Sequence, residues 1–407
     1  MTRTIALHVA LTAIVALGLA PRVTADGPWI RHTIDDSSRG ADGTRLGNAN
    51  ADAHPDIVTG WEQGGITRVY LNPGPAKAKG KWPAVTVGKT PNVEDAVFVD
   101  LDRDGATDVV SCCEGRTRTM FVHWAPKDPA RYLDPKAWTT EAVPASKGRM
   151  MWMFCVPAQV DGRHGDDLIA AGKGDGAAVG WFDIPMDKPR DLAAWTWHPI
   201  QKVAWVMSIR LEDMDTDGNL DILVSDRKGP TRGVFWLRNP GADLTRAEAW
   251  KRHDIGGQGR EVMFLDRADL DGDGLEDVLV ATKPRDILYL RQQTRGGRQW
   301  ETFPIRIPDT AGTAKAVAVA DIDLDGRKDL VFSCEHARRP LSGVMWLRNT
   351  PEAFASPDWP ARDISGPEGV KFDLVVPLDL DGDGDLDVLT CEESENLGVI
   401  WYENPAR

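Results

Sequence analysis

The sequence predicts an all-β protein, a seven-bladed β-propeller of four-stranded blades. Three observations carry this expectation. An aspartate-rich loop recurs seven times at intervals of 52 to 59 residues, short apolar runs of strand length flank every loop, and helical periodicity is nearly absent. Short strands at regular spacing with turn signals between them mark propellers and sandwiches. The order of the strands within the repeat selects the closed ring.

The loops begin at Asn48, Asp100, Gln159, Asp213, Asp269, Asp321 and Asp379. An apolar strand precedes each loop, as in AVFV or AVAVA, and a second follows it, as in Val109-Val110 or Ile222-Leu223-Val224. A third strand ends on an aromatic and often Asn-Pro, best seen in VFWLRNP, VMWLRNT and VIWYENP. A fourth opens on a tryptophan, at Trp29, Trp82, Trp138, Trp195, Trp250, Trp300 and Trp359. The first tryptophan pattern precedes the first loop, and nothing of strand length follows VIWYENP. Residues 29–35 are therefore expected to complete the last blade, which seals the ring and limits exposed sheet edges.

The opening segment, MTRTIALHVALTAIVALGLAPRVTADG, has a basic start, an apolar run from Ile5 to Ala20 and small residues before Asp26. It reads as a secretory signal over 1–25, leaving one propeller domain over 26–407 in a secreted or periplasmic protein. The run is shorter than a bilayer requires, so no transmembrane anchor is expected after cleavage. With 62 acidic and 48 basic side chains the net charge is −14, which argues against a nucleic-acid partner. Cleavage would remove Arg3 and Arg22 and take the charge to about −16. The five cysteines form no C-x-x-C pair, and an odd number cannot all pair within one chain, so mostly buried thiols are expected.

In the pattern D-x-D-x-D-G-x-x-D, the first, third and fifth side chains turn toward one point, glycine permits the tight turn, and the ninth aspartate closes the cage. Five loops match: Asp100, Asp102, Asp104 and Asp108; Asp213, Asp215, Asp217 and Asp221; Asp269, Asp271, Asp273 and Asp277; Asp321, Asp323, Asp325 and Asp329; Asp379, Asp381, Asp383 and Asp387. Hard oxygen ligands in a flexible loop favour Ca2+. The first unit offers Asn48, Asn50, Asp52 and Asp56, a weaker site with less charge. In the third unit Gln159, Asp161, Arg163 and Asp167 put a guanidinium where the metal belongs, and no calcium is expected there. Five to six structural ions follow; six would bring the charge from about −16 to about −4. An EF-hand needs a glutamate at position twelve, where Ser111, Val224 and Val280 stand instead.

These loops, the apolar strand after each and the terminal V-x-W-x-x-N-P resemble the FG-GAP/VCBS repeat family, the calcium-loop propellers that include the heads of integrin α-chains. The resemblance spans roughly residues 29–405. It implies adhesion or carbohydrate binding and, as in the more distant aldos-2-ulose dehydratase, sugar chemistry on the propeller.

Aligning the units points to a ligand face. Six residues after each ninth-position aspartate stand Glu62, Glu114, Lys173, Arg227, Lys283, Glu335 and Glu393, four acids on one arc and three bases on the other. Six residues before each loop stand Asp42, Glu94, Met153, Met207, Met263, Lys315 and Asp373. With Trp152 and Trp205 beside the methionines, one sector is expected to be basic and aromatic, able to stack a sugar and hold its carboxylate, and the facing sector acidic. Two classes of function stay open: a module that binds an extracellular glycan or protein ligand, and a carbon–oxygen lyase or dehydratase on a uronate or keto-sugar. In the second, Lys173, Arg227 or Lys283 would neutralise an enolate and His336 is the candidate base. No nucleophile elbow, phosphate-cradling loop, zinc motif or dinucleotide fingerprint appears, so binding ranks ahead of catalysis.

Overall fold

Seven four-stranded antiparallel sheets form the protein in a computed structural model that describes residues 27–406 apart from His164 and Pro284. The expected signal over 1–25 lies outside the described residues. Blade one is β2 (Ala41–Gly47), β3 (Asp56–Trp61), β4 (Ile66–Tyr70) and β5 (Ala84–Lys89), paired in that order. The innermost strands of blades two to six are β6 (Val93–Val99), β10 (Met151–Ala158), β14 (Val206–Glu212), β18 (Glu261–Ala268) and β22 (Thr313–Ala320). Each packs against the next around the axis.

Blade seven closes the ring as the strand order requires. Its own strands are β26 (Val376–Leu378), β27 (Asp387–Glu392) and β28 (Gly398–Glu403), and the fourth is β1 (Ile30–Asp35) from the chain's start. β1 pairs antiparallel with β28, Ile30 opposite Glu403 and Asp35 opposite Val399, and β27 packs on β2. Joining the first and last described strands in one sheet leaves no blade short of a strand.

The second strands are buried on both faces, as in Asp56–Trp61 and Asp108–Cys113. Their apolar runs are thus the continuous kind that a sheet packed between two neighbours needs. Tryptophans of the third strand stack on histidines of the fourth: Trp181 on His198 at 4.9 Å, Trp236 on His253 at 4.4 Å, and Trp401 on His32 at 4.4 Å. All five cysteines are buried and unbridged.

The inner strands share one irregularity that positions the site. Strand pairing skips Met153 in β10, Met207 in β14, Lys315 in β22 and Glu94 in β6. The same shift spans Met263 and Phe264 in β18, and Gly43 and Thr44 in β2. A bulge re-aims the extra residue out of the ladder. In five of these blades it aims Glu94, Met153, Met207, Met263 and Lys315 toward the axis; in blade one the skip begins at Gly43, next to Asp42.

Candidate functional site: an axial cavity and a ring of aspartate loops

The first strand of each blade ends at the aspartate loop and the second returns from it, so loops and bulges lie on opposite faces. Six residues separate Asp56 from Glu62, and at strand rise that puts the faces roughly 20 Å apart.

In the strong loops the first aspartate folds the turn. Asp100 accepts the amides of Asp104 (3.1 Å) and Gly105 (3.1 Å), and Asp213 those of Asp217 (3.0 Å) and Gly218 (2.9 Å). This draws oxygens of Asp100, Asp102 and Asp108, and of Asp213, Asp215 and Asp221, within 4.8 Å of one another. Guanidinium groups approach the third and fifth aspartates. Arg238 reaches Asp215 (2.6 Å) and Asp217 (2.5 Å), Arg291 reaches Asp271 (2.6 Å) and Asp273 (3.1 Å), and Arg348 reaches Asp323 (2.6 Å) and Asp325 (3.0 Å). Even so, Asp215 Oδ1 and Asp323 Oδ1 are buried without a hydrogen-bond donor. The donor set and these orphaned oxygens fit a hard cation.

In the first unit the Asn50 amide donates to Asp52 (2.8 Å), which spends the donor set on an internal bond. In the third, Arg163 pairs with Asp161 at 2.7 Å, so a cationic side chain sits in the loop.

The ninth-position aspartate has a role that the spacing did not reveal. In every blade its two oxygens accept one amide from the second residue of the loop and another from just after the third strand. Asp108 takes Leu101 (3.3 Å) and Ala125 (2.8 Å), Asp221 takes Met214 (2.9 Å) and Asn239 (2.7 Å), and Asp387 takes Leu380 (2.9 Å) and Asn404 (2.9 Å). Asp56, Asp277 and Asp329 repeat this, and so does Asp167 in the unit whose metal is in doubt. A group retained where the cage is broken serves the backbone first. Its persistence in QVDGRHGDD was the available signal. Burial pushes Asp108 up to about 8 and Asp167 to about 7, against the two amide bonds that lower each.

The opposite face opens into an axial cavity of about 290 Å³. All seven residues of the inner-strand series line it: Asp42, Glu94, Met153, Met207, Met263, Lys315 and Asp373. Of the outer series, Glu62, Glu114, Lys173, Arg227 and Glu335 do so, with Trp205. Phe154, Phe264, Asp95 and Lys371 were not anticipated; the two phenylalanines follow bulged methionines, and Lys371 stands two residues before Asp373. Lys283 and Glu393 stand behind the lining, paired with Glu335 and Lys371.

Three expectations change. Trp152 is fully buried, donates from Nε1 to the Ser146 carbonyl (3.0 Å) and packs on Trp197, because the bulge sends its neighbour Met153 to the axis instead. The basic arc is not free to hold a carboxylate: Lys173 pairs with Glu114 and Glu94 of blade two, Arg227 with Glu261 (3.1 Å) and Lys283 with Glu335 of blade six. Equivalent rim positions on neighbouring blades come within ion-pair distance, so the arc neutralises at its borders. The Trp205 ring already carries cations, with Lys173, Arg227 and Lys228 at 4.5, 4.4 and 4.8 Å from its centre. His336 is exposed at φ 58° with Nδ1 3.7 Å from Glu335, and it does not line the cavity.

The apolar sector of the expected polarity stands in blades three to five, where Met153, Met207, Met263, Phe154 and Phe264 form one wall. Facing it, Lys315 (5% exposed) holds Asp373 at 2.8 Å, and Lys371 holds Glu393. Burial, and then the Asp373 carboxylate beside it, push Asp42 well above the usual carboxylate range. Glu94 rises to about 8 from burial, against the attraction of Lys173. A larger groove of about 540 Å³ on the flank of blades five and six carries Tyr289, Phe303, Phe354 and Trp359, but the charged groups in its lining, Asp271 and Arg291, are already paired.

Residues 269–332 match the model of the FG-GAP-like repeat. The match runs from the start of the fifth loop through the sixth, one full period of a unit that the fold repeats seven times. The chain is a seven-bladed propeller that carries an FG-GAP-like repeat. A search of curated proteins finds no match. Among solved structures the FG-GAP propeller is similar to BBS1N, crystallised in complex with ARL6DN, with a TM-score of 0.51 at 10% identity, covering 92% of this chain and 96% of that one. It is also similar to YCF48 from Cyanidioschyzon merolae, with a TM-score of 0.52 at 10% identity, covering 92% and 98%. At that identity the likeness extends to the fold alone. Propellers of this family are ligand-binding and adhesion modules, and among the described residues no helix is long and apolar enough to cross a membrane.

Proposed function

We propose that this FG-GAP propeller binds an extracellular polyhydroxylated ligand, a sugar or the end of a glycan, in its axial cavity. The observation that carries the reading is the cavity's two-sided wall. Carboxyl groups of blades one and two stand where they accept hydroxyl hydrogen bonds, and the methionine and phenylalanine wall faces the apolar side of a ring. At about 290 Å³ the space suits a single sugar residue. The protein is secreted or periplasmic, consistent with its expected signal. Its loops hold Ca2+ through Asp100, Asp213, Asp269, Asp321 and Asp379 with their third- and fifth-position partners, which pins the far face while the near face binds.

Titration calorimetry against a panel of neutral, acidic and amino sugars tests the reading. Binding that weakens at least tenfold in Glu62→Gln and in Met207→Lys supports it; a panel with no binder, or binding indifferent to both changes, ends it.

A lyase acting on an oxidised sugar is the second reading. It is favoured by Glu94 in the lining, a buried carboxyl whose pKa rises to about 8 and which is placed to exchange a proton with a ligand in the cavity. A new ultraviolet absorbance on incubation with uronates or keto-sugars, lost in Glu94→Gln, would establish it, and a flat trace across the set would remove it.

A further inference from the structure

We propose that Cys112 of blade two and Cys155 of blade three are a disulfide-forming pair, a covalent stitch across the seam between neighbouring blades. The oxidant is a disulfide-bearing thiol of an oxidising compartment. The pair rests on neither the sugar nor the lyase reading.

Placement in the blades leads to this pair. Four of the five cysteines stand in second strands: Cys112 and Cys113 in β7 (Asp108–Cys113), Cys334 in β23 (Asp329–Glu335) and Cys391 in β27. Cys155 alone stands in an innermost strand, β10, which packs against β7 of blade two. Asp95 marks the junction. It is the ladder partner of Cys112 between β6 and β7, and its Oδ2 accepts the Cys155 amide at 3.1 Å. The two Sγ atoms and an Asp95 oxygen lie within 4.8 Å of one another. A disulfide closes at about 2.05 Å, and the difference is within the reach of a χ1 rotamer change. A shared soft metal is the competing use of two thiols and a carboxylate. Asp95 is already held by Arg45 at 3.3 Å, and the same guanidinium reaches the Cys155 carbonyl at 3.4 Å. Two remaining thiols are too few to hold a zinc ion, which takes four ligands.

Formation is a two-electron step. The two thiols lose two electrons and two protons as the S–S bond forms, and the oxidant's own disulfide takes them up and breaks into two thiols. The attacking group is a thiolate. In the folded chain both cysteines are fully buried, and burial, followed by the Cys155 thiol beside it, pushes Cys112 well above the usual thiol range. Exchange therefore belongs to the stage of folding before blade three closes on blade two, and the finished bond is shielded from reductant. It ties positions 43 apart in the chain, a loop long enough for the constraint on the unfolded state to count. It also fixes the cavity wall, since Asp95 lines the cavity and Cys155 stands two residues after Met153. Cys113, Cys334 and Cys391 keep their thiols.

The experiment refolds the reduced full chain in a mixture of oxidised and reduced glutathione, unfolds it again in iodoacetamide, and counts alkylated thiols by intact mass. Three of the five cysteines are expected to be alkylated, with a non-reduced peptide map joining Cys155 to the peptide of Cys112 and Cys113. Variants separate the adjacent pair: Cys113→Ser is expected to keep the link and Cys112→Ser to lose it. Five alkylated thiols, glutathione left on either cysteine, or a link made through Cys113, Cys334 or Cys391 overturns the proposal. Should a variant fold poorly, fragmentation of the linked wild-type peptide assigns the bond to Cys112 or Cys113. Should refolding itself fail, the chain exported into an oxidising compartment and alkylated on release is read by the same count and map.

Discussion

His123 is the sharpest test of how the blades are joined. Its ring is fully buried between blades one and two, in a chain of hydrogen bonds with a single consistent direction. Thr140 Oγ1 donates to the Val87 carbonyl (2.9 Å), so it accepts from His123 Nδ1 (2.9 Å). His123 Nε2 is then the acceptor for Ser111 (2.8 Å), which in turn accepts from Thr67 (2.8 Å), and Thr67 from Thr90 (2.8 Å). Every partner is satisfied by the neutral ring, and a proton on Nε2 meets the proton of Ser111. Gly88 permits the contact, since a Cβ there would stand 2.4 Å from His123 Nδ1. Burial lowers the His123 pKa from 6.5 to about 3, and no charged side chain contributes to the shift. A folded pKa below the unfolded one means that the stability is fully present above pH 6.5 and is lost as pH falls toward 3. The shift corresponds to about 5 kcal/mol in all, of which about 3 kcal/mol goes between pH 7 and pH 4. Comparing urea unfolding of wild type and His123→Gln at those two pH values isolates it, because every other titration is common to both. The stability gap is expected to shrink by about 3 kcal/mol at pH 4. A gap that stays constant would refute the neutral buried ring and the direction of the hydrogen-bond chain.

Other outcomes follow from the same structure. Asp167→Asn replaces an acceptor with a donor facing a backbone amide and is expected to cost about 2–3 kcal/mol in urea unfolding while leaving bound calcium unchanged; a fall in calcium stoichiometry would return this residue to the ligand set. Lys315→Met strands Asp373 in the interior and is expected to cost about 3–5 kcal/mol in chelator-stripped protein, with Asp373→Asn added to it restoring most of the loss. An additive double variant would deny the pairing. Removing metal with a chelator is expected to lower the melting temperature, each loop site losing about 2.7 kcal/mol relative to calcium at a hundredfold its Kd. Calorimetry that gives the same melting temperature with and without calcium would leave the loops as metal-free turns.

What was legible in the sequence was local. A loop that repeats its aspartates, a strand that repeats its tryptophan and an unpaired first tryptophan pattern each act within about ten residues, so seven blades and their closure by the opening strand could be read by spacing alone. The alignment also found the cavity, because one register position in equivalent strands occupies one place in a ring: Met153, Met207, Met263 and Lys315 line it as their spacing implied. The tertiary structure decided what those positions do. Lys173 and Glu114 are 59 residues apart in the chain and meet only because adjacent blades present the same rim position side by side. The bulge that aims Met153 inward and hides Trp152 alters the pairing count between two strands, which composition cannot register. The ninth aspartate looked like a ligand in sequence because its spacing fits a cage. In the fold it is the acceptor for two backbone amides, one from the loop and one from just past the third strand, and a buried N–H must find an acceptor whatever metal lies nearby.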